Sequence, residues 1–148
     1  MKLKILLLLG ILICGCGRKT PAGTSMEWRS DHKPITSRYK GLDGIATLTW
    51  NCELLSRPSG FVPGKSAFRI RCFAENFSNT GSNSISFSDL QPTTLPADVV
   101  FPVHLNAAST SVWFSSQTID NAIFTFRYHG KAFYAPDIDL LYFDSSWE

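Results

Sequence analysis

Residues 67–77 read AFRIRCFAENF, and residues 45–52, a little upstream, read IATLTWNC. In the first, Phe68, Ile70 and Cys72 alternate with Arg69, Arg71 and, further on, Glu75; in the second, Ala46, Leu48, Trp50 and Cys52 alternate with Thr47, Thr49 and Asn51. A period of two sends successive side chains to opposite faces of a pleated strand, so each stretch predicts a half-buried strand. Between them, PSGFVPGKS at residues 58–66 is rich in Pro and Gly and predicts a loop.

The same period continues downstream. Residues 76–84, NFSNTGSNS, form a polar turn, and ISFSDL at 85–90 sets Ile85 and Phe87 between serines. VVFPVHL at 99–105 is apolar but carries Pro102, which has no amide donor and so predicts an edge strand or a bulge. TSVWFSS at 110–116 and NAIFTFRYHG at 121–130 follow, the latter with Phe124, Phe126 and Tyr128 opposite Thr125 and Arg127. His129-Gly130-Lys131 reads as a hairpin tip leading into AFYAP, and DIDLLYFD at 137–144 sets Ile138, Leu140 and Tyr142 against Asp139, Leu141 and Phe143. Seven or eight short strands, with no segment of helical period, predict an all-β domain, either a sandwich or a small barrel. An immunoglobulin-like β-sandwich is the expected form. It is not a true immunoglobulin domain, because Trp50 precedes both Cys52 and Cys72 instead of lying between them.

The amino terminus has a different character. Lys2 and Lys4 precede an apolar run that stops after about a dozen residues at Gly15 and Gly17, too short for the roughly 20 residues of a membrane-spanning helix. A charged start, a short apolar centre and a small-residue exit are the layout of a secretory signal. The exit, Ile13-Cys14-Gly15-Cys16, resembles the lipobox of bacterial lipoproteins, a resemblance confined to residues 1–17. It implies that Cys16 is acylated and becomes the first residue of the mature protein. It also favours the outer membrane, since Gly17 stands where an inner-membrane lipoprotein of enteric bacteria tends to carry aspartate. Two or three acyl chains make release from a bilayer negligible.

The expected organisation is a lipoprotein signal peptide at 1–15, an acylated cysteine with a flexible linker at 16–43, and a β-sandwich at 44–148. The chain carries 14 Lys and Arg against 12 Asp and Glu, and Lys2 and Lys4 leave with the signal, so the mature protein is formally neutral and nucleic acid is not an expected partner. Between Cys16 and Lys40 the linker holds Arg18, Lys19, Arg29, Lys33, Arg38 and Lys40 against Glu27 and Asp31, leaving an acidic body. Near anionic head groups such charges gain about 1 kcal/mol each; away from them they only solvate a spacer. Trp28 and Tyr39, also in the linker, either dock on the body or engage a partner.

Cys52 and Cys72 form an even pair in an exported domain, which predicts a disulfide worth roughly 3 kcal/mol. Catalysis is not expected: no GxSxG is present, and His104 and His129 cannot be placed beside a serine from the sequence. Asp137, Asp139 and Asp144 lack the Gly-punctuated acidic loop of a calcium site, and His32, His104 and His129 lack ligand-like spacing, so no metal or other cofactor is expected.

Phe, Trp and Tyr make up 13% of the chain. Most belong in a core, but Val112-Trp113-Phe114 and Leu140 to Phe143 are apolar on both faces of a strand, so something covers the second face. The chain itself is the favoured cover and a partner protein the other. Trp113, Phe114, Tyr142 and Phe143 are therefore the candidate binding residues. The expected function is a lipid-anchored envelope protein that binds another envelope protein without catalysis, as part of a scaffold or assembly. The alternative is an inhibitor of a hydrolase, a lysozyme or a protease, acting through the 53–65 loop.

Overall fold

A computed structural model describes residues 26–56, 67–79 and 87–147. Six strands occur in it: β1 (Thr47–Ser56), β2 (Ala67–Glu75), β3 (Gln91–Thr93), β4 (Trp113–Ser115), β5 (His129–Ala135) and β6 (Leu140–Trp147). All pair antiparallel in one open sheet, in the order β1-β2-β6-β5-β4-β3. The protein is thus mostly β, as its periodicity predicts. Among the described residues there is no second sheet to make an immunoglobulin-like sandwich, because both faces of the one sheet are covered by segments that are not strands.

The first face, here the helical face, carries Leu48 and Trp50 of β1, Cys72 and Ala74 of β2, Leu141 and Phe143 of β6 and Ala132 and Tyr134 of β5. It is covered by α1 (Lys33–Thr36), the chain that follows it, and α2 (Gln117–Ile123), through Ile35, Tyr39, Leu42, Ile119 and Ile123, each nearly or wholly out of solvent. The opposite face, here the loop face, carries Phe73, Leu140, Tyr142, Phe133 and Ala135. Its cover is the irregular segment from Leu95 through a 3₁₀ helix at Val103–Thr110, which contributes Val99, Phe101, Leu105 and Ala108. β6 therefore buries both rows, Leu141 and Phe143 to one side and Leu140 and Tyr142 to the other, which accounts for its doubly apolar sequence.

Several local expectations change. The segment read as a flexible linker, 16–43, is packed onto the sheet from Trp28 onward: Trp28 rests on Phe73 with ring centroids 5.6 Å apart, and Arg29 exchanges two backbone hydrogen bonds with Trp50 at 2.7 and 2.8 Å. Its apolar residues, Ile35, Tyr39 and Leu42, are spaced to put one side of a short helix and its exit against the core. Pro102 opens the 3₁₀ helix instead of marking an edge strand, since its fixed φ and missing donor suit the start of a helical turn. NAIFTFRYHG is not a strand: α2 ends at Ile123, and β5 begins at His129. Ser116 caps α2 by accepting from the Thr118 and Ile119 amides at 3.0 and 3.3 Å, so the burial of Ile119 and Ile123 is an i, i+4 relation. The hairpin turn lies at residues 136–139, not at His129-Gly130-Lys131, which belongs to β5. Within ISFSDL, Phe87 onward is turn, and Ile85 lies outside the described residues.

The cysteines are free, Cys72 buried and Cys52 exposed. The register explains this: Cys72 stands opposite Trp50 and Cys52 opposite Ile70, so the two are diagonal neighbours on one face. Diagonal neighbours sit about 7–8 Å apart, whereas the Cα atoms of a disulfide lie within about 6.8 Å. Alkylation of the folded protein is expected to modify Cys52 and spare Cys72, which reacts only after unfolding. Two thiols that both need prior reduction would restore the bridge.

Candidate functional site

Both covering layers sit over the same part of the sheet. Among the described residues they leave bare the end where β1 stops, β2 starts, β6 stops and β5 starts, referred to below as the open end. The two faces of this end differ in chemistry because the strands alternate.

On the helical face a row of apolar side chains crosses the strands. Leu54 stands opposite Phe68, and Phe68 opposite Trp147 with rings stacked at 5.8 Å. Trp147 in turn lies 6.3 Å from Tyr128, the residue just before β5. Exposure is substantial: Leu54 is 38% exposed, Trp147 45% and nearby Phe126 82%, with the Arg127 guanidinium 5.3 Å over the Phe126 ring. The next row inward contains Gly130, where any Cβ would strike the Asp144 carbonyl and the Phe124 ring. That glycine lets Phe124 close over the sheet and ends the covered region.

On the loop face the same end holds charge. Arg69 donates through Nε to both oxygens of Asp144 at 2.8 and 3.0 Å, and through Nη1 to Asp98 at 2.7 Å. A second pairing joins its Nη2 to Asp144. Arg71, with only 5% of its side chain exposed, reaches Asp98 at 2.7 Å and Glu53 at 3.7 Å. Hydrogen bonding to Arg69 holds the Asp98 carboxyl below its ordinary range, and the Asp144 bond raises the Arg69 guanidinium above its own. Alternation in β2 sends both arginines to this face, β6 brings Asp144 opposite Arg71, and Asp98 arrives on the covering loop.

Beside this network a groove of about 420 Å³ crosses the strands. Its floor is Arg69, Asp144 and Phe133; its walls are Leu55, Pro96, His129 and Lys131. Lys131 projects into solvent, with Asp120 at 3.8 Å as its nearest acid. Such a groove offers a fixed ion pair, exposed donors and apolar lining. His129 and Ser146 face each other across the β5–β6 ladder near Asp144, the residue types of a triad. Arg69 occupies both Asp144 oxygens, and among the described residues no hydrogen bond joins His129 to Ser146 or Asp144. The arrangement suits recognition.

The residues singled out from sequence fall elsewhere. Trp113, Tyr142 and Phe143 are interior, with at most 4% exposure, and Phe114 is half-buried opposite Tyr134. They are covered by the chain itself and present no surface. Asp139 accepts from the Ser78 amide and hydroxyl and from the Tyr134 hydroxyl, and Asp144 is held by arginine, so neither joins exposed Asp137 in a common site. Residues 53–56 of the expected inhibitory loop belong to β1, and 57–66 lie outside the described residues, as does Cys16. The apolar row had a sequence signal: Leu54 and Phe68 continue the inward phase of Trp50-Cys52 and Ile70-Cys72, and Trp147 that of Leu141-Phe143. No family model, curated protein or solved structure matches this chain.

Proposed function

We propose that this chain is a lipid-anchored bacterial envelope protein, held through acylated Cys16, that binds another envelope protein without catalysing a reaction. The groove across the open end carries the reading. It combines a fixed Arg69–Asp144 pair, which orients polar groups, with apolar lining at Leu55, Pro96 and Phe133 that supplies burial. Exposed donors at His129 and Lys131 favour a partner segment bearing a carboxylate. The lipobox resemblance and Gly17 support an outer-membrane location, in a scaffold or assembly role.

A photoreactive residue placed at Lys131 is expected to crosslink one envelope protein in native membranes, whereas the same residue at exposed Asp137, in the hairpin turn at the other end of the ladder, gives no such adduct. Identical adducts from both positions, or none from Lys131, would defeat the groove as the binding site.

A further inference from the structure

We infer that the apolar row at the open end, Leu54, Phe68, Trp147 and Tyr128 together with Phe126, is a docking surface for the anionic phospholipid bilayer to which the chain is tethered. This rests on the acylation of Cys16 proposed above, while the direction in which the chain enters and the composition of the row are independent of it.

The first is the direction of the chain. Arg29 pairs antiparallel with Trp50, so each residue before Arg29 advances one position along β1 toward the open end. Met26 fits this course: its sulfur lies 4.0 Å from Arg71 Nη1, and Arg71 also reaches Glu53. The polypeptide thus enters the domain from its open end.

The second is length. Residues 17–25 separate Cys16 from Met26. Fully extended, this stretch reaches about 35 Å, so the end where the chain enters stays within that distance of the head groups.

The third is composition. Trp147 and Tyr128 are the ring types that settle at membrane interfaces, with Leu54 and the freely exposed Phe126 as apolar contacts. Arg127 is exposed beside them and complements phosphate charge, while Glu53 turns to the loop face toward Arg71. Docked this way, the domain opens its groove sideways along the bilayer, toward a partner approaching in the membrane plane.

Trp147 provides its own probe, since Trp50 and Trp113 are buried and Trp28 is half-buried. The lipidated full-length product, purified from membranes, would be reconstituted into phosphatidylglycerol/phosphatidylethanolamine vesicles containing acyl-brominated phosphatidylcholine. Expected are a loss of tryptophan emission on brominated lipid, abolition of that loss by Trp147→Phe, and its reduction by Phe126→Ser, a change at an exposed site that leaves folding intact. Mass analysis of the amino-terminal peptide separates the two ideas. Acyl mass on Cys16 without Trp147 quenching overturns the docking and leaves the anchor standing; absence of acyl mass overturns both. Quenching that survives Trp147→Phe, or a Trp147 position that crosslinks to protein in native membranes and is not quenched by lipid, also overturns the docking.

Discussion

Between about pH 9 and pH 12 the protein is expected to lose most of its stability, well before any backbone chemistry sets in. Four acidic hydrogens are locked in its two cores. The Cys72 thiol and the Tyr39 and Tyr142 hydroxyls are pushed far above their ordinary values of 9.0 and 10.0 by burial, and Tyr134 is pushed up to about 12 by burial and by its bond to Asp139. All four residues are at most 5% exposed. As pH rises through the ordinary values, the unfolded chain releases these protons while the folded chain holds them, so the unfolded state gains. Stability is complete below about pH 9 and falls above it, by up to about 1.4 kcal/mol per pH unit for each group whose unfolded form has ionised. Three or four such groups match the 5–15 kcal/mol of a typical domain within about two pH units above pH 10. Tyrosinate absorbance should therefore rise together with loss of the far-ultraviolet strand signal, and Tyr142→Phe should make the decline shallower. Tyrosinate formation well ahead of unfolding would mean that water reaches these hydroxyls.

The same burial explains what the sequence made legible. The two faces of β1 and β2 are plain from the alternation of Trp50 with Asn51 and of Ile70 and Cys72 with Arg69 and Arg71, because period two is a local property of an extended chain. The doubly apolar β6 is legible as a strand that needs two covers. What supplies the covers is not. Segment 95–110 has no period, and the apolar residues that reach the core, Leu95, Val99, Phe101, Leu105 and Ala108, do so at positions set by the sheet beneath. Helix α2 is hidden for a related reason: Phe124-Phe126-Tyr128 imitate a strand just after it, while its own signals are a single serine cap and two isoleucines. The packing of the 28–43 segment is hidden because Ile35, Tyr39 and Leu42 are sparse among charges, although sparse apolar residues suffice once a sheet exists to receive them. The charged site was half visible. Arg69 and Arg71 mark a polar face within one strand, but Asp98 and Asp144 meet them from 27 to 75 residues away, and only the strand order brings them together.

Trp113→Ala separates a covered interior from a binding surface most sharply. Trp113 is 4% exposed on β4 and packs in the loop-face core with its ring 6.3 Å from Phe101, the residue that ties the covering segment to Phe73. Truncation there removes burial and leaves a cavity between sheet and cover, a loss of about 3–5 kcal/mol, which a urea titration reads as a lower midpoint. Trp113→Phe behaves differently. The indole N–H has no acceptor among the described residues, and an unpaired buried donor costs about 1–3 kcal/mol. Phenylalanine removes that cost while keeping most of the ring, so its midpoint should lie close to the parent. A surface anchor would reverse the pattern, leaving both midpoints unchanged while partner capture fell. If Trp113→Ala left the midpoint in place, segment 95–110 would not be packed on the sheet, and the loop face would be open along its whole length instead of only at the groove.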